Sequence, residues 1–163
     1  MSAAVVDTEE IVATTHGAAD EQSDTKVDVK IALGGMWIAM LFVFAYVDIF
    51  GFWRADVIQG ALAGKTPGPG FEIGQTFLSL TTVYILIPSL MILVSLLAPA
   101  RLNRGANIGV SLLYAASVIL AAVGETWIYY LLGTVVEVVL LLAIAWTAWT
   151  WPKRAAVTHG MQT

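Results

Sequence analysis

Residues 127–151 read WIYYLLGTVVEVVLLLAIAWTAWTW, an almost wholly apolar run with aromatics at both ends and one carboxylate, Glu137, near its middle. A helix rises about 1.5 Å per residue, so the run is long enough to cross a hydrocarbon core of roughly 30 Å. An ionised carboxylate at that depth is costly unless it is paired, hydrogen-bonded or protonated. Glu137 is therefore expected to face other helices or a wet cavity, and the rest of the chain has to supply that setting.

The composition agrees. Hydrophobic residues make up 58% of the 163 and charged residues 12%, where soluble domains carry about 25% charged residues. Mean hydropathy is +0.80. This is the composition of an integral membrane protein, with room for one small membrane domain and short tails. Cys is absent, which excludes disulfides, thiolate metal sites and Cys nucleophiles. The net charge of −4 is concentrated at one end: residues 1–30 hold seven acids to two lysines, and the remainder holds five acids to six Lys and Arg. The acidity thus describes a tail and implies nothing about nucleic acid.

Residues 1–28 are rich in Ala, Thr, Asp and Glu and lack aromatics, so they are expected to form a disordered acidic tail without a secretory signal pattern. Four antiparallel spans are expected over about 31–50, 73–97, 106–123 and 127–151. Together 29–153 form an all-α, four-helix transmembrane domain followed by a short tail, 154–163. Between the first two spans, Arg54–Leu62 has apolar residues at helical spacing and predicts a short interfacial helix. Thr66–Gly70 breaks the chain, and Pro88 predicts a kink in the second span. Ala98–Gly105 reads as a short basic turn. Lys26, Lys30, Arg101, Arg104, Lys153 and Arg154 fall on one side and only Arg54 and Lys65 on the other. That asymmetry predicts cytoplasmic termini.

Polar residues recur at helical spacing. Glu72, Gln75, Ser79 and Thr82 form one such stripe, Asn107, Ser111 and Tyr114 a second, and Thr126, Tyr130, Thr134 and Glu137 a third. Counting depth along the spans, Asp48, Gln75, Ser79, Tyr130, Thr134 and Glu137 are expected to line one cavity opening outward. The competing reading of the stripes is packing, since such side chains commonly hydrogen-bond between membrane helices. Gly105 and Gly109 permit close helix approach, with packing inside the bundle expected. Trp37, Trp146, Trp149 and Trp151 on one side, and Trp53, Trp127, Tyr129 and Tyr130 on the other, read as interface belts. His16 and His159 lie in the tails and read as solvated. No metal site or cofactor and no Walker, Rossmann or HExxH motif is apparent.

Trp37-Ile38, Tyr46-Val-Asp48-Ile49, Asn103-Arg104-Gly-Ala-Asn107-Ile108 and Val136-Glu137-Val138 together resemble an uncharacterised family of small bacterial four-span membrane proteins, defined by a domain of unknown function. The resemblance covers about Val29 to Lys153. It implies the same fold and a bacterial inner-membrane address, and it brings no reaction or substrate. The family pattern carries an acidic residue just before the second-span proline, where this chain has Ile87.

The functional expectation is a non-enzymatic membrane protein that binds or passes a small molecule, lipid or proton. Asp48 would stand at the mouth of the cavity, Gln75, Ser79 and Thr134 would orient the ligand, and Glu137 would exchange a proton or hold a cationic group. One alternative is an accessory or structural subunit of a larger membrane complex. A second is a quinone-linked redox subunit with Glu137 and Tyr130 at the quinone head. The lipid bilayer is the expected partner, and a homodimer is compatible with the chain.

Overall fold

The computed structural model describes residues 27–151. The expectations for the tails, including His16 and His159, lie outside the described residues. Among the described residues five helices follow one another: α1 (Val29–Gly51), α2 (Ala55–Leu62), α3 (Gln75–Leu97), α4 (Ala100–Ala121) and α5 (Ile128–Trp149). All but α2 are long and apolar enough to cross a membrane. At about 1.5 Å per residue the shortest of these, of 22 residues, still reaches about 33 Å.

The four long helices form a bundle in which α5 packs between α1 and α4, and α1 also packs on α3. The contact of α3 with α4 is slighter, and α3 and α5 stand diagonally opposed. The end carrying α2 and the α4–α5 turn is called the α2 end below, and the opposite one the terminal end.

Local chemistry sets the boundaries. Asp28 begins α1 by accepting from the Lys30 amide (2.8 Å), the usual satisfaction of an unpaired first-turn donor. Only Ala98 and Pro99 separate α3 from α4, so the expected basic turn is helical from Ala100 and the third span starts six residues earlier than read from sequence. Pro99 fits that entry, because a first-turn amide would have had no helical partner in any case. The last carbonyls of α3 are satisfied from outside the helix: Asn103 Nδ2 donates to Val94 O and Ser95 O, and Lys30 Nζ to Leu96 O and Ala98 O. Arg104 Nη2 donates to Trp149 O at the end of α5 (2.8 Å). Such donors also favour the negative end of a helix dipole.

Packing is uneven along the bundle. Leu33, Trp37 and Met40 of α1, Met91 and Ser95 of α3, Asn103 to Val118 of α4, and Leu141, Ile144 and Ala148 of α5 supply the buried residues. Most lie in the terminal half or near mid-span, but Val118 of α4 and Gly133 of α5 are buried towards the α2 end. Towards the α2 end, α1 beyond Met40 and α3 before Pro88 bury no residue. On the side of α1 and α3 the bundle is therefore more tightly packed at the terminal end than at the α2 end.

A polar network seals the terminal half. Asn107 Oδ1 accepts from Trp37 Nε1 (2.6 Å) and Ser95 Oγ (3.2 Å), while Asn107 Nδ2 donates to Asn103 Oδ1 and Asn103 O. Every hydrogen-bonding capacity of that amide is used, which makes its burial tolerable. Trp37 is thus a core residue and not part of an interface belt: its indole N–H finds a partner only inside. Gly105 and Gly109 also depart from expectation. Both are exposed and nothing lies within 4 Å of where a Cβ would stand, because the Asn103–Asn107–Ser111 face of α4 is the one that turns inward. The close approach occurs instead at Gly133 of α5, where a Cβ would collide with the Val47 side chain of α1.

Candidate functional site: a cavity at the α2 end

Three connections build the α2 end. After α1 the chain turns at Phe52–Trp53 and enters α2 behind Arg54. Gly60 then lets the Lys65 carbonyl approach to where a Cβ would stand only 2.7 Å away, so the Lys65–Glu72 loop folds back across α2. Between α4 and α5 the turn runs through Gly124, whose φ of 86° is a conformation that favours glycine.

Arg54 ties two of these connections together. It is buried, at 9% exposure, although arginines are almost never buried unless paired. Its Nε and Nη2 donate to the two carboxylate oxygens of Asp56 (3.1 and 2.6 Å), and Nη1 donates to Glu125 Oε2 (2.9 Å). The guanidinium also lies 4.7 Å from the ring centroid of Trp127, a cation–π arrangement. Glu125 is fixed in turn by the Thr126 and Trp127 amides (2.9 and 3.2 Å). The bond to Asp56 raises the Arg54 guanidinium above its ordinary value, against the opposing effect of burial, and Glu125 adds to the rise. Burial pushes the Glu125 carboxyl up, but the bonds from Arg54 and the two amides outweigh it and leave it below the ordinary range. Asp56 is held low by its bond to Arg54. The trio stays ionised throughout the neutral range.

This clamp lines a cavity of about 550 Å³, together with Val47, Asp48, Gly51, Tyr129 and Tyr130. Its size is that of ordinary small-ligand pockets, roughly 300–1,000 Å³. Trp127, Tyr129 and Tyr130 of the lining, with Phe50 outside it, form a chain of edge-on aromatic contacts with centroids 6.2–6.4 Å apart.

Glu137 stands two helical turns beyond Tyr130 on the same face of α5. It is 4% exposed. Among the described residues nothing donates to its carboxyl, whose oxygens keep only a little accessible surface. On other helices, Asp48 has no ion-pair partner among the described residues, and the Tyr84 ring packs on Phe44 and Tyr114. Tyr84 is itself anchored by a 2.7 Å hydrogen bond to Ser117 Oγ, whose own proton goes to Tyr114 O (2.9 Å).

The expected site residues therefore divide. Asp48 and Tyr130 line the cavity, whereas Thr134 and Glu137 lie deeper along α5, outside its lining. Thr134 is half-buried and Glu137 buried, so the α5 stripe from Thr126 inward becomes steadily less exposed with depth. Gln75 and Ser79 are exposed, outside the cavity lining, on a helix diagonal to α5. They are not brought to Glu137, because α3 packs on α1 through its other half. Sequence reading missed Arg54 and Glu125 as partners, although opposite charges flanking spans at the same expected side were a signal for them.

Four apolar helices around a partly buried polar interior define a multi-pass integral membrane protein. The chain belongs to the Family of unknown function (DUF6326), whose model matches residues 24–158 and so includes all five helices. No curated protein matches the chain. No solved structure matches it either.

Proposed function

We propose that this protein binds a small molecule in the cavity at its α2 end, with Glu137 as the deepest polar contact. The observation that carries the reading is the state of Glu137: buried, free of any donor among the described residues, and on the same face of α5 as the cavity-lining Tyr130. A mid-membrane carboxylate is costly, and a residue serving only as helix-to-helix glue would be bonded to a neighbouring helix. Asp48 and Tyr130 line the cavity, and Thr134 lies between Tyr130 and Glu137 along α5. The asymmetry of Lys and Arg supports an inner-membrane orientation with both termini cytoplasmic and the cavity opening outward.

Native mass spectrometry of protein released gently from its own membrane tests this, wild type beside Glu137→Gln. A discrete small-molecule adduct confined to the wild type is expected. Identical spectra carrying only bulk lipid would remove the reading. Reporter fusions after Lys65 and after Arg154 test the orientation, with an outside signal expected for the first and a cytoplasmic one for the second.

A second reading, an accessory subunit of a larger membrane complex, is favoured by the open face at Gly105 and Gly109, since small residues permit close approach of another helix. A stoichiometric protein partner retained by both proteins in the same spectra would support it.

A further inference from the structure

We propose that the ligand of this cavity is an organic cation, a protonated or quaternary amine with a small apolar body. This rests on the cavity reading above and adds the ligand's chemistry. The lining contains three carboxylates, Asp48, Asp56 and Glu125, and one cation, Arg54. Arg54 is already engaged by both Asp56 and Glu125, so Asp48 has no cationic partner among the described residues. Deeper along α5, outside the lining, stands Glu137, more than nine-tenths buried and without a donor among the described residues. The lining therefore carries an excess of negative charge at Asp48, and a positive charge there relieves it.

The wall selects the kind of cation. Aromatic faces attract positive charge, and Trp127 already holds one guanidinium, that of Arg54. Tyr129 and Tyr130 extend the same surface. An anion would meet uncompensated carboxylates here. A hydrated inorganic ion has no use for an aromatic wall or for a volume of about 550 Å³.

Calorimetric titration of the full chain in dodecyl maltoside micelles, which present no ammonium group, tests the proposal. The probes are a series of quaternary ammonium ions, from tetramethylammonium to benzyltributylammonium, with benzylsulfonate as the anion. Wild type is expected to bind members of the ammonium series and not benzylsulfonate. Glu137→Gln is expected to weaken that binding about tenfold or more, and Asp48→Asn to weaken it less. Asp48 is exposed, so its variant carries the test if Glu137→Gln does not fold. Ammonium binding unchanged by both variants would overturn the proposal, as would equal binding of benzylsulfonate. An absence of ammonium binding alongside a Glu137-dependent adduct in the native spectra would overturn the ligand class and leave the cavity reading intact. Absence of both would overturn the two together.

Discussion

The hydroxyl of Tyr114 donates to the carbonyl of Tyr84, the group that Pro88 leaves without its helical partner. A proline has no amide to bond the carbonyl four residues earlier, and within a membrane that carbonyl has no water to turn to. Here α4 supplies the missing donor across the helix contact, and the two tyrosine rings stack 4.8 Å apart. Tyr114→Phe is expected to cost about 1–3 kcal/mol, the usual penalty of an unpaired buried polar group. In a Pro88→Ala background, where the restored backbone amide can bond the carbonyl, the same substitution should cost much less. A double-mutant cycle of unfolding in detergent measures the difference, and equal costs in both backgrounds would refute the pairing.

Arg54 and Glu125 give the α2 end its pH response. Glu125 and Asp56 both lie below the ordinary carboxylate range. A carboxylate depressed in the folded state adds stability above its unfolded pKa and loses it as pH falls through the folded one. The clamp should therefore hold from neutrality down to the ordinary carboxylate range and release only below it. Trp127 fluorescence, with Arg54 against its ring, reports the release. Glu125→Gln should shrink the acid transition, and a release centred near neutrality would contradict the assignment.

Arg54→Lys should not substitute for arginine. Lysine offers one point charge in place of the fork that grips both oxygens of Asp56 and still reaches Glu125. A loss of about 1–3 kcal/mol is expected, less than for a fully buried pair because Glu125 keeps 19% of its side chain exposed. Thermal melting in detergent, with Arg54→Lys beside wild type, checks it.

Gly133→Ala should loosen the contact between α5 and α1, since the added methyl would overlap the Val47 side chain. Overpacking of this kind costs about 1–3 kcal/mol. Val47→Ala in the same chain should restore most of the loss. A rescue that fails would mean that Gly133 matters for another reason.

Asn107→Leu removes the acceptor of Trp37 Nε1 and the donors to Asn103. The terminal half should lose about 1–3 kcal/mol for each buried group left unpaired. Hydrogen exchange of the Trp37 indole should speed up in Asn107→Leu, and an unchanged rate would show that the network does not hold it.

The sequence by itself determined the four spans, because the length and apolarity of a run decide whether it can cross a bilayer without reference to any neighbour. It also placed Glu137 at mid-span and put Asn107, Ser111 and Tyr114 on one face of α4, since helical period is a property of a single element. The tertiary structure decided where each face points. Gln75 and Ser79 share a stripe as Asn107 and Ser111 do, yet the first pair is exposed and the second buried. Trp37 turned inward, Gly105 and Gly109 turned outward, and Arg54 found Glu125 from 71 residues away. Rotation of a helix about its axis and the order of its neighbours depend on packing all four helices at once, and periodicity within one of them does not encode either.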